Sequence, residues 1–214
     1  MIKTGKIIKA FNLVALSLGI AASLSAQEMP TRSKDKVVKV SDPKFNEIQS
    51  PNINVSGASK SYRPKDWLEI EVELEISKWK PKLIDEYVDG ISVKWWVVVK
   101  GQDRKTYLVE KTVQHVNIPE DEKVFTSVYL SPNTLRRITG KNKASEGDIE
   151  AVGGEIQLGG EMLGFFSHGK DKGWWRKPLG SVERTTKFPL LNKDETPFKF
   201  LWYDRYAEIK PKNN

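Results

Sequence analysis

The sequence predicts an all-β antiparallel sandwich of about seven strands, with one short helix and no disulfide. Three observations carry this expectation. The stretch WLEIEVELEIS, residues 67–77, alternates apolar and acidic residues in strict period two, the pattern of a strand with one buried and one wet face. The stretch ISVKWWVVVK, residues 91–100, sets Ile91, Val93, Trp95, Val97 and Val99 on one face and Ser92, Lys94, Trp96, Val98 and Lys100 on the other. Only one segment of the mature domain, SPNTLRRITG at 131–140, carries the boundary signals of a helix.

Taken in order, the chain opens on Lys3, Lys6 and Lys9, then an apolar run from Ala10 to Ala22, then Ser23-Leu24-Ser25-Ala26. A basic start, an apolar middle and a small-residue end predict a signal peptide over 1–26. Cleavage is expected after Ala26, with Ser25 as the alternative. The apolar run falls short of the roughly 20 residues that a membrane span needs. The mature form is therefore expected to have no span, an uncleaved anchor being the other reading. The chain holds no cysteine, so a lipid-modified cysteine is excluded along with disulfides and thiol chemistry. Export is expected through the general secretory route, to the periplasm, the outer envelope surface or the medium.

Residues 27–46 are polar and lysine-rich with prolines at 30 and 43, and read as a flexible linker in which Val37–Val40 is an edge strand. The sandwich is expected over 47–210, with 211–214 as a tail. Its strands are read at Ile48–Ser56, 67–77 and 91–100, then, after a hairpin turn at Gly101-Gln102-Asp103, at Thr106–Ile118 and Val124–Leu130. Ser131 is the N-cap, Pro132 the first helical residue and Gly140 the C-cap of the helix. Residues 149–166 are strand-like but carry glycine pairs, which mark bulges or bends. The aromatic-rich PFKFLWYDRYAEI, residues 197–209, is read as a closing strand.

The whole chain has a formal charge of +7. The signal segment removes three lysines and no acid, leaving +4. Both signs are interspersed with no long basic stripe, which argues against nucleic acid as a partner. A mildly basic surface fits acidic glycans or an anionic cell surface.

No catalytic constellation emerges. His115 and His168 are the only histidines, and neither sits in a ligand-spaced motif. His115 reads as a satisfied or exposed strand histidine and His168 as an exposed loop residue. GGEIQLGG, residues 153–160, lacks the Lys-Ser/Thr pair of a phosphate loop, and the phenylalanines beside Ser167 do not suit a nucleophile elbow. Glu69, Glu71, Glu73 and Glu75 read as a solvated strand face rather than paired glycosidase carboxylates. Asn54-Val55-Ser56 is a formal glycosylation sequon. No catalytic residue, metal or cofactor is therefore expected. The candidate binding residues are Trp96, Trp174, Trp175, Arg176 and Lys172, because aromatic faces stack on sugars and favour interfaces. In the loop HGKDKGWWRKPLG, residues 168–180, one tryptophan is expected to cap the end of the sandwich and the other to stand out as a contact. Two roles remain open on this reading, a structural or interaction domain and a glycan-binding adhesin.

The segments ISVKWWVVVKG, SPNTLRRITG and PFKFLWYDRYAEIKP, behind a signal peptide and without cysteine, resemble a family of exported immunoglobulin-like proteins. That family comes from verrucomicrobial bacteria and is linked to a type IV pilus gene cluster. The resemblance covers roughly residues 47–210. It implies an immunoglobulin-like fold, pilus or envelope proteins as partners, and no cofactor. A pilin filament subunit would carry a glutamate five residues after the glycine at its processing site. Ala10 stands at that distance from Gly5, so an accessory role is implied. Trp95 would serve as the strand tryptophan of such a domain, without the cysteine pair that usually flanks it.

Overall fold

The computed structural model describes residues 37–52, 63–77, 85–143 and 145–211. The expected signal peptide, the linker up to residue 36, the sequon at Asn54–Ser56 and residues 212–214 lie outside them.

Twelve strands and one α-helix follow in chain order among the described residues. They are β1 (Val38–Val40), β2 (Lys44–Gln49), β3 (Asp66–Ile76), β4 (Tyr87–Val88), β5 (Ile91–Lys100), β6 (Thr106–His115), β7 (Ile118–Pro119), β8 (Lys123–Leu130), α1 (Pro132–Thr139), β9 (Ile149–Leu158), β10 (Glu161–His168), β11 (Val182–Arg184) and β12 (Leu191–Asn192). Several are only two or three residues long, which is why the count exceeds the expected seven. In the first sheet β3 lies beside β8, and β12 follows β8. β1 and β2 share the other edge of β3, against Leu74–Ile76 and Asp66–Glu71 respectively. The second sheet runs β10-β9-β5-β6-β11. Its outermost pair, β6 with β11, is parallel, so the sandwich is not wholly antiparallel. β4 and β7 form a small separate ribbon.

The inward rows of the two sheets make one core. Leu68, Ile70, Val72, Leu74 and Ile76 of β3 and Val128 and Leu130 of β8 meet Ile91, Val93, Trp95, Val97 and Val99 of β5. The period-two pattern thus places its apolar set against the partner sheet, as the sequence requires. Trp95 meets Phe166 edge to face at 4.7 Å. α1 forms over the predicted residues. Ser131 Oγ accepts from the Thr134 amide, and Gly140 takes the left-handed conformation at φ 74°, where glycine ends a helix without steric penalty.

Two expectations about the ends of the domain are corrected, and one about its middle holds. Residues 37–46 are not a linker, since β1 and the start of β2 hydrogen-bond to β3. Residues 149–166 are strand as expected, forming two strands of a hairpin whose sharp bend falls at the Gly159-Gly160 pair with φ 58° and 85° and whose bulge falls between Met162 and Gly164. Residues 197–209 are not a strand. They run as turns and one short 3-10 segment, Tyr203–Arg205, with isolated backbone bridges to a strand of each sheet, Phe125–Tyr206 to the first and His115–Ile209 to the second.

Candidate functional site

The outer faces of both sheets are covered, and the covers hold the features of interest. Across the second sheet, Trp96, Val98, Leu108, Ala151, Phe165, Trp174 and Trp175 form a second apolar cluster. Gly173, at φ 78°, turns the chain into a 3-10 segment, Trp174–Arg176, that lays both indoles on the sheet. Trp175 stacks on Trp96 at 5.4 Å with 17° between planes. Room for that ring exists because residue 153 is glycine, where a Cβ would stand 2.1 Å from Trp175 Cε3. Beneath the lid, Glu155 accepts from Trp175 Nε1 at 2.7 Å and from Arg176 Nε at 2.6 Å. Burial alone would raise its pKa. The hydrogen bonds from Arg176 and Trp175 outweigh that and hold its carboxyl below the ordinary value.

All five residues named from the sequence therefore meet in one patch, with a correction. Trp96, Trp174 and Trp175 are only 4–5% exposed, so both loop tryptophans are anchors and neither stands out as a contact. Arg176 and Lys172 are exposed. Arg176 is engaged with Glu155, and Lys172 lies 5.4 Å over the Phe165 ring. His168 ends β10 rather than sitting in the loop, with its ring edge-on to Phe45 at 4.9 Å.

The glutamate row is corrected as well. Glu73 and Glu75 face solvent and pair with Lys123 and Lys39. Glu69 and Glu71 are buried, each 3% exposed, because the chain after β12 folds over them. Asn192 starts this cover with a capping box to Glu195. Phe198 packs between Tyr129, stacked at 5.6 Å, and Trp67, edge-on at 5.6 Å. Glu69 accepts from the hydroxyls of Tyr129 at 2.6 Å and Tyr206 at 2.9 Å, and from Asn46 Nδ2 at 3.0 Å. Glu71 accepts from Arg205 Nη2 at 2.9 Å. The Tyr206 hydroxyl also lies 3.0 Å from Glu71, so its one proton bridges the two carboxylates. Burial, then the adjacent Glu69, push both tyrosine hydroxyls above their ordinary pKa. Lys193 sits 4.6 Å over the Tyr206 ring and donates to the carbonyls of Lys199 and Leu201. Burial lowers its pKa, against the pull of Asp194 and Glu69.

His115 fastens the end of this cover. It is buried, with Nδ1 3.2 Å from the carbonyls of Ala207 and Glu208 and Nε2 2.9 Å from Thr126 Oγ1. Carbonyls only accept, so Nδ1 carries the proton and Nε2 accepts from the threonine. Burial holds its pKa down at about 4, against the two carbonyl contacts. A depressed histidine pKa favours the neutral form in the fold, so the unfolded chain binds more protons as pH falls below the ordinary value of 6.5. Acidification from pH 6.5 to 4 is expected to remove on the order of 3 kcal/mol of stability through this residue. Urea unfolding across that range checks it. His115→Gln, which has no titrating proton, should flatten the slope, and an unchanged slope would refute the assignment.

On top of the cover stand the bare aromatics. Phe200, Trp202 and Tyr203 are 80%, 56% and 56% exposed. Trp202 has φ 51°, a left-handed conformation unusual for so large a residue. It is held there by hydrogen bonds from the Leu201 amide to the Phe198 carbonyl at 3.0 Å and from the Arg205 amide to the Trp202 carbonyl at 3.1 Å. Sequence reasoning missed this crest. The available signal was the run from Phe198 to Tyr203, in which Lys199 is the one polar residue, too apolar for a strand with a wet face. Among the described residues no group of three His, Asp or Glu could hold a metal ion, and no helix is long and apolar enough to cross a membrane.

A crystal structure of a protein from Akkermansia muciniphila, a verrucomicrobial bacterium, is similar to this chain, with 32% sequence identity and a TM-score of 0.76. The match covers 83% of this chain and 94% of that one. None of the curated proteins compared matches. One protein-family model matches residues 29–213, a span that takes in both sheets, both covers and the crest, and the chain belongs to that family.

Proposed function

We propose that this chain is an exported protein without enzymatic activity that works by contact, as an accessory of pili or of the cell envelope, and that the crest is its contact surface. The observation that carries the reading is the crest itself. Three large aromatic side chains are left in water on a backbone held from below by Lys193, Phe198 and the glutamate–tyrosine cluster. Exposed aromatic groups gathered on a firm base mark a surface that a partner covers. The immunoglobulin-like classification and the pilus association rest on the resemblance of the strand, helix and C-terminal segments. The likeness to the Akkermansia protein supports the same bacterial setting.

Crosslinking mass spectrometry on intact cells tests this, since Lys199 offers an amine beside the crest. Pilus or envelope proteins should be joined to it in the wild type, and those crosslinks should be lost in Trp202→Ala/Tyr203→Ala. Stability of the variant should stay within about 0.5 kcal/mol per substitution, as for other surface changes. Recovery of periplasmic enzymes alone, or crosslinks indifferent to the variant, would sink the reading. Binding of the purified chain to a glycan array, abolished by the same variant, would replace it with a glycan-binding role.

A further inference from the structure

A pocket of about 430 Å³ lies beside α1, away from the crest and from the tryptophan lid. It forms where the end of β2, residues 63–66 leading into β3, α1 from Pro132 to Arg136 and residues 142–143 come together. Arg63, Lys65, Arg136 and Lys143 line it, against the single carboxylate of Asp66.

Four cations thus meet around one cavity with one acid among them. Several cations elsewhere are matched with acids, as in Lys39–Glu75, Lys105–Glu183, Lys123–Glu73, Lys170–Glu150 and Arg184–Glu110, and others, such as Lys94 and Lys172, lie over aromatic rings. Among the described residues, Arg63, Lys65 and Arg136 have no such partner, and Lys143 reaches only the half-exposed Glu47 at 3.1 Å. Like charges held around one cavity repel, and an anion bound between them relieves the repulsion. The helix adds to the field. Its first turn contains no acidic residue, Asn133 of that turn lines the pocket, and the positive end of the helix dipole is directed there. Arginine forks match the paired oxygens of a phosphate or sulfate. The volume exceeds what a bare tetrahedral anion occupies and falls in the range of sites for sugar-sized ligands.

We propose that this pocket binds a phosphate or sulfate ester carried on a sugar. The inference rests on the pocket alone and is independent of the crest.

Isothermal titration of the purified chain tests it with four probes, glucose 6-phosphate, glucose 6-sulfate, inorganic phosphate and unmodified glucose. A sugar ester should bind, its affinity should fall as salt rises, and glucose should not bind. Arg63→Gln/Arg136→Gln should weaken the ester at least tenfold. Both side chains are exposed, so the thermal melt should be kept, and Lys65→Gln gives a second, milder probe of the same cavity. Lys177→Gln, on the tryptophan lid, removes the same charge elsewhere and should change nothing. Inorganic phosphate binding as tightly as the ester would overturn the sugar part and leave an anion site. No binding of either anion, an indifferent double variant, or equal weakening by Lys177→Gln would overturn the proposal outright.

Discussion

Trp175→Ala is expected to cost about 3–5 kcal/mol of folding stability, the range for emptying a buried aromatic site. The ring lies on Gly153 with no side chain between, is stacked on Trp96, and donates to Glu155. Its loss leaves a void that Gly153 has no side chain to fill, and removes one of the donors that offset the burial of Glu155. Lys94, 4.8 Å over Trp96, would then face an indole open to water. For a domain of this size the melting temperature should fall by roughly 10 °C. Trp175→Phe, which keeps a ring over Gly153 but loses the donor, should cost less than half as much. Thermal and urea unfolding give the comparison. A loss under about 1 kcal/mol for the alanine variant would mean that the lid is not part of the cooperative fold.

Glu69→Ala is expected to have a comparable effect, about 3–5 kcal/mol, because removing one partner from a buried charged network leaves the others uncompensated. Tyr129, Tyr206 and Asn46 would lose their common acceptor, and Lys193 and Arg205 would be left with Glu71 as the remaining buried carboxylate beneath the cover. The damage should be local before it is global. Amides of Arg205, Tyr206 and Ala207 should exchange with solvent faster, while those of β5 and β9 keep their protection. Alkaline titration gives a second readout. In the wild type the raised tyrosine pKa values mean that the contribution of Tyr129 and Tyr206 is intact below pH 10 and is lost as pH rises beyond it. In the variant both phenols should ionise at lower pH, seen in tyrosinate absorbance. An unchanged titration would show that Glu69 does not set their environment.

What the sequence made legible was whatever a short window of residues decides. The apolar row of β3, the two faces of β5 and the caps of α1 each follow from neighbours a few positions apart, and each stands where the sequence put it. The misread features depend on distant partners. Alternation from Glu69 to Glu75 tells which row turns from the core but not what lies over that row. The answer comes from Tyr206, 135 positions from Glu71. The aromatic alternation of 198–203 imitates a strand, and the capping box from Asn192 to Glu195 was the local sign that the chain was turning instead. The double tryptophan was placed correctly in a loop after a glycine, yet its burial required a bare strand surface at Gly153, twenty-two positions earlier. The candidate binding residues were thus found as a group, while their role as internal anchors, and the crest that takes their place at the surface, could only be seen in three dimensions.

Both covers are drawn from residues 173–207. The sheets themselves are built from residues that precede them, up to His168 for every strand but the short β11 and β12. A form with only its main strands paired would leave the apolar patch around Trp96 and Phe165 and the buried carboxylates of β3 facing water. Such a form is sticky on one side and over-charged on the other, the kind of surface that aggregates. A chain lacking the residues from Gly173 onward would be left open on both flanks rather than merely shortened.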